Sequence, residues 1–167
     1  DRAGGLLTYG IPGFRLEKWV VMRRVELLKQ AGVQFVMICD VGVDISFDAI
    51  RGQHDAVLIA TGVYKARDLS KDSLGADGLV PALAYLTASN RKNFGDDVAE
   101  YDNGTLNAEG KRVVVIGGGD TAMDCVRTAI RQGATSVKCL YRRDKANMPG
   151  SQRETKNAEE EGVEFVW

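Results

Sequence analysis

At 167 residues, 44% of them hydrophobic and 27% charged, the chain has an ordinary globular composition with room for one full core or two partial ones. A formal net charge of −1 gives no basic field for nucleic acid or an anionic membrane, and apolar runs such as Ala56 to Ala60 are too short to cross a bilayer. Small-molecule chemistry in a soluble, cytoplasmic setting is the expectation, with neither nucleic acid nor membrane as a partner.

In chain order, "GGLLTYGIPGF" carries four glycines and one proline in eleven residues, which predicts backbone in special conformations rather than a regular element. Leu16, Trp19, Val20, Leu27, Leu28 and Ala31 then follow helical spacing, with Arg23, Arg24 and Lys29 on the other side and Gly32 as the stop. "VQFVMICDV" and "DAVLIATG" read as strands apolar at nearly every position, the pattern of strands buried on both faces. Residues 63 to 78 are charged and irregular, and "GLVPALAYLTASN" predicts a short helix. The 91–110 stretch reads as an exposed loop, mobile or partner-facing.

From Lys111 the pattern is strand, glycine turn, helix, strand. "RVVVIG" is followed by Ala122, Cys125, Val126, Ala129 and Ile130 on one helical face and then by "SVKCLY", predicting a parallel pair with a right-handed crossover. Ser151 with Glu154 three residues on has capping-box spacing, and that last helix should end at Gly162 before "VEFVW". "KQAGVQFV" and "EEEGVEFV" echo one another, as two related nucleotide-binding lobes in series would, although two unrelated helix-to-strand corners would look the same.

Cys39, Cys125 and Cys139 are far apart in sequence and form no Cys-x-x-Cys, so buried structural thiols are expected rather than a disulfide framework or metal site. His54, the single histidine, is read as structural, and no catalytic side chain or metal ligand is assigned.

Gly117, Gly119 and Ala122 fit G-x-G-x-x-A directly after a strand and opening a helix. In that motif the first glycine permits the turn, the second lets backbone approach a pyrophosphate, and the small third residue allows close helix-to-strand packing. The helix N-terminus then directs free N–H groups at the phosphates. Asp120 would repel a pyrophosphate as a neighbour and is read chiefly as the helix cap. At the end of the next strand, "CLYRRD" puts Arg142 and Arg143 where arginine suits the 2′-phosphate of NADP, while Asp144 keeps the NAD alternative open.

The run from "VVVIGGGDTAMDCVRTAIRQGA" through "CLYRRDKANMPGSQRETKNAEEEGVEF" resembles the NADPH-binding lobe of the small subunit of bacterial glutamate synthase. "GGLLTYGIPGFRLEKWVVMRRVELLKQAGV" and "DAVLIATGVYK" resemble that subunit's flavin lobe, so the likeness spans nearly the whole chain except residues 91–110. It implies Rossmann-like α/β lobes with parallel sheets, the disulfide-reductase-like FAD/NAD(P)-binding fold, incomplete at both ends. Residues 1–65 would be part of the FAD lobe and 66–167 the NADPH lobe.

The implied activity is electron input, from NADPH to FAD and through 4Fe-4S clusters to a large (alpha) subunit that forms glutamate from 2-oxoglutarate and glutamine. By the same resemblance, Gly117, Gly118, Gly119, Asp120, Thr121, Ala122, Arg142 and Arg143 lie on the NADPH side. Gly5, Leu6, Tyr9, Gly10, Ile11, Pro12, Thr61 and Gly62 lie on the FAD side. The family's cysteine-rich segment and first FAD fingerprint are not in this sequence, so FAD and the clusters are expected of a longer parent polypeptide. Other NADPH-dependent flavoproteins, of the dihydropyrimidine dehydrogenase or ferredoxin-NADP transhydrogenase kind, share much of the pattern. A non-catalytic docking module built on the same fold is the alternative from another class.

Overall fold

The computed structural model describes residues 2–62 and 77–167; the irregular stretch expected over 63–78 and the expected lobe boundary at 65/66 fall almost wholly outside them. Three parallel strands, β1 (Arg112–Ile116), β2 (Ser136–Leu140) and β3 (Glu164–Val166), form one sheet in the order β1-β2-β3. Arg112 is opposite Ser136 and Ile116 opposite Leu140, while Lys138 faces Glu164. Seven helices are described: α1 (Gly5–Tyr9), α2 (Lys18–Gln30), α3 (Phe47–Gln53), α4 (Ala82–Asn93), α5 (Ala99–Asp102), α6 (Asp120–Arg131) and α7 (Gln152–Glu160).

The core lies between the sheet and α6. Met123, Val126 and Ala129 pack with Val137 and Cys139 of β2, Ala158 of α7, and Val163. Ala122, Cys125, Val126 and Ala129 are buried and Ile130 partly so, as the apolar periodicity requires. The helix is also closed on its polar side, because α4 and α7 pack there, and every residue from Ala122 to Ala129 is buried.

Several local readings change. The glycine-rich start is partly regular: Gly4 and Gly5 have positive φ, but Gly5–Tyr9 is a helical turn whose Thr8 Oγ1 donates to Ala3 O at 2.8 Å. The two apolar segments at 33–41 and 55–62 form no ladder among the described residues, apart from one Val41–Ile45 bridge. Val36 is 77% exposed, Ile38 89%, Leu58 89% and Ile59 71%. Strand propensity becomes strand only where a neighbour takes up the backbone N–H and C=O groups, and among the described residues these segments have no strand neighbour beyond that bridge.

Cys39, which lies in the first of them, is therefore exposed, whereas Cys125 and Cys139 are buried. The α2 helix forms as predicted, yet only Val21 is buried and Trp19, Leu27 and Leu28 are exposed. Between the two segments Ser46 caps α3, a helix the sequence reading passed over, by accepting from Ala49 N at 3.1 Å. His54 Nδ1 bonds Ile50 O at 2.8 Å, a structural contact.

The 91–110 stretch is folded rather than loose. Val98 and Ala108 are buried, and Gln132 of the α6 C-cap accepts from Ala108 N at 2.9 Å and from Tyr85 Oη at 2.8 Å. At the last helix Ser151 is the N-cap without a side-chain cap bond, so the expected capping box is not made. The Glu154 carboxylate is taken by Arg127 instead, since a guanidinium competes well against a backbone N–H.

Candidate functional site

The glycine turn grows out of the sheet. Gly117 N donates to Leu140 O at 2.9 Å, and the Cys139 thiol donates to Gly117 O at 3.2 Å. Gly117 has φ +147°, and a Cβ on it would lie 3.6 Å from the Ala122 Cβ, so strand end and helix pack as closely as the small residue allows. Gly118 is required for a different reason: a Cβ there would sit 2.5 to 2.9 Å from the Tyr141 ring. Its carbonyl accepts from Gly150 N at 2.8 Å, pinning the 148–151 segment to the turn.

Gly119 is the α6 N-cap, and a Cβ on it would meet nothing within 4 Å. Ala122 N and Met123 N both bond to Gly119 O, while Asp120 N and Thr121 N have no acceptor among the described residues. Two free donors at a helix start, beside open space, fit a bound anion such as a pyrophosphate. Asp120 is not the cap. It is the first helical residue, and its carboxylate accepts from Ser151 N at 3.0 Å, which turns the negative charge toward the 148–151 segment.

Arg142 and Arg143 follow β2, are exposed, and make no hydrogen bond or ion pair among the described residues. Asp144 is occupied locally. It caps a short 3-10 turn by accepting from Asn147 N at 2.9 Å and Asn147 Nδ2 at 2.8 Å, and these bonds hold its carboxyl below the usual range.

The glycine-rich amino-terminal stretch meets this unit at the start of α6. Leu6, Gly10, Ile11, Leu83, Leu86, Thr121 and Asp124 line a cavity of about 110 Å³. Pro12 lies on the other side of the same segment, in a more open groove of about 630 Å³ shared with Phe14, Tyr101, Thr128 and Arg131. Tyr9 is engaged elsewhere: its hydroxyl accepts from Arg2 N at 3.0 Å, and its ring meets Phe94 edge-on. Gly5 opens α1 and is exposed, and Thr61 and Gly62 are exposed and line neither space.

A charged network that the sequence reading missed holds the segment in place. Arg15 Nη1 donates to Asp124 Oδ1 at 2.8 Å, and its Nε lies 3.7 Å from Glu154 Oε2. Arg127 bonds Glu154 at 2.5 Å and Glu161 at 2.7 Å, and Arg131 also reaches Glu161 at 2.7 Å. Both guanidiniums lie against the Phe14 ring, at 4.6 Å from its centroid for Arg127 and 4.4 Å for Arg131. Burial pushes the Asp124 carboxyl above the usual carboxylate range, against the pull of Arg15. Lys18 Nζ donates to Leu7 O at 3.0 Å and to Ile11 O. Burial brings that ammonium down to about 8, with Asp124 acting in the opposite sense. The available signal was the spacing of Asp124, Arg127 and Arg131 along one helical face, which reads equally as a solvated stripe.

Among the described residues no three His, Cys, Asp or Glu side chains converge as a metal set. No described helix is long and apolar enough to cross a membrane.

Parallel strands joined through a glycine turn and a helix define an α/β protein of the Rossmann-like dinucleotide-binding class. A family model for pyridine nucleotide-disulphide oxidoreductases matches residues 23–167, and the chain belongs to that family. Membership implies FAD and a nicotinamide dinucleotide as the cofactor classes.

Over all 167 residues the chain is 79% identical to a provisionally named glutamate synthase (NADPH) small chain of Cereibacter sphaeroides and 66% identical to the glutamate synthase (NADPH) small chain of Azospirillum brasilense. It is 50% identical over 162 residues, 97% of the chain, to the protein of the same name in Escherichia coli strain K12. It spans only 40%, 35% and 34% of the length of these three relatives.

Proposed function

We propose that this chain is the part of the electron-input subunit of an NADPH-dependent glutamate synthase that carries its NADPH lobe and a portion of its flavin lobe. Residues 1–65 belong to a flavin lobe in this reading and residues 66–167 to an NADPH lobe. The parent protein, cytoplasmic and paired with a large subunit, uses NADPH, FAD and iron–sulfur centres to supply electrons for L-glutamate formation from 2-oxoglutarate and L-glutamine. NADPH supplies a hydride, which needs stacking and exclusion of water rather than a side-chain acid or base.

The chain's own residues would then bind and orient. Asp120 and Thr121 N–H groups receive the pyrophosphate, Gly119 leaves room for it, and Gly117, Gly118 and Ala122 hold the turn. Leu6, Gly10 and Ile11 line the space beside Thr121, with Gly5, Tyr9 and Pro12 shaping that segment. Thr61 and Gly62 serve the flavin side.

The observation that carries NADPH over NADH is the pair Arg142 and Arg143, two exposed guanidiniums at the end of β2 with no hydrogen bond or close ion pair among the described residues, beside an Asp144 whose carboxylate is bonded to Asn147. The test is anaerobic bleaching of flavin in the FAD-containing parent polypeptide by NADPH and by NADH, with both arginines intact or changed to alanine. Charge-assisted hydrogen bonds to phosphate predict that the alanines raise the half-saturating NADPH concentration roughly tenfold to a hundredfold, NADH being poor throughout. Flavin that neither nucleotide bleaches would sink the oxidoreductase reading and favour a docking module.

A further inference from the structure

We propose that Asp124 is a positioning residue for hydride transfer: through Arg15 it fixes the flavin-side segment 6–15 at the start of α6, one helical turn from Thr121. The inference rests on the electron-input reading above. Asp124 is only 6% exposed and lines the same small cavity as Leu6, Gly10, Ile11 and Thr121. Its Oδ1 receives Arg15 Nη1 at 2.8 Å.

Two cations organise this segment, and Asp124 answers both. Arg15 closes its far end, and Lys18 ties together the carbonyls of Leu7 and Ile11 in the field of the same carboxylate. Glu154 extends the contact to α7, since its Oε2 lies near Arg15 Nε and bonds Arg127 Nη1. Phe14, next to Arg15, packs against the guanidiniums of Arg127 and Arg131. The flavin-side segment, α6 and α7 thus meet at Arg15, whose direct bond is to Asp124.

An apolar contact could bury the same area with less desolvation, but it would not select one register. A directional ion pair with a second carboxylate behind it does select one. Hydride transfer is steep in distance, so a segment that shifts slightly slows the chemical step while leaving nucleotide binding at the glycine turn intact.

The experiment is anaerobic stopped-flow flavin reduction by NADPH in the full FAD-containing polypeptide, comparing wild type with Asp124→Asn, Arg15→Met and the double variant. A misplacement of this kind predicts a limiting rate lower by about tenfold or more in each single variant, with FAD content and the NADPH dissociation constant within about twofold. The double variant should be no slower than the slower single, because both remove one shared interaction. Limiting rates within about twofold of wild type, additive losses, or an effect confined to the NADPH dissociation constant or FAD content would overturn the proposal. Should Asp124→Asn fail to fold, Arg15→Lys decides by the same readout, since it keeps the charge and loses the fork; an unchanged limiting rate there overturns the proposal. Wild-type flavin left oxidised by NADPH would instead overturn the electron-input reading, and the proposal with it.

Discussion

Residues 29–36 and 159–166 share Gly, Val, Phe and Val at matching positions, and their corners fold alike. Gly32 and Gly162 have φ +92° and +97°, and Val33 N and Val163 N each reach back to Leu28 O and Ala158 O at 3.0 Å. That closure is the glycine-terminated helix end, fixed by backbone geometry within a few residues. Beyond it the two part company. Phe165 pairs with Cys139 in the sheet, while Gln34 to Val36 pair with nothing among the described residues. Val163 is 6% exposed and Val33 44%. The comparison teaches that a corner is a local object and a strand is not.

The largest contrast should appear in thiol chemistry. Burial pushes the Cys125 thiol up to about 12 and the Cys139 thiol up to about 11, so both stay protonated at pH 8, whereas Cys39 is open to solvent. A thiol-labelling reagent at pH 8 should modify one cysteine rapidly in the native chain and all three in denaturant. Rapid labelling of two or three would show that the packed half is not closed.

Next in size is the pair of corner valines. Val163→Ala should cost roughly 2 kcal/mol in urea unfolding by lost apolar burial and a small cavity, and Val33→Ala less than about 0.5 kcal/mol. Equal losses would mean that residues 33–36 are packed as tightly as β3.

The smallest effect lies just before each glycine, where Ala31 faces solvent and Glu161 is tied to Arg127 and Arg131. Burial works to raise the Glu161 carboxyl, but the two arginines outweigh it and hold it below the usual carboxylate range. Its folded pKa is therefore below its unfolded one. The stabilisation is present above the unfolded pKa and lost as pH falls through the folded value. Glu161→Gln should flatten the acid limb of the stability profile by about 1 kcal/mol or less. An unchanged acid limb would leave that ion pair without energetic weight.

Much of the fold was legible because it is periodic or punctuated. The parallel β1–α6–β2 unit, the glycine turn and the helix stops at Gly32 and Gly162 all follow from short-range rules. The site was legible only in part. Gly117, Gly119 and Ala122 occupy the positions their spacing predicts, but Asp120 as a bond acceptor for Ser151, Gly118 under the Tyr141 ring, and the Arg15–Asp124 contact depend on residues far along the chain.

Sequence by itself determined the glycine turn, the helix stops at Gly32 and Gly162 and the helical face that packs on the sheet, since each is set within about one turn of backbone. Tertiary structure alone decided which apolar runs become strands, which cysteines are buried, and that the charged face of α6 is covered rather than solvated. Burial and backbone pairing are properties of a neighbour's position, and no local pattern encodes whether that neighbour is there.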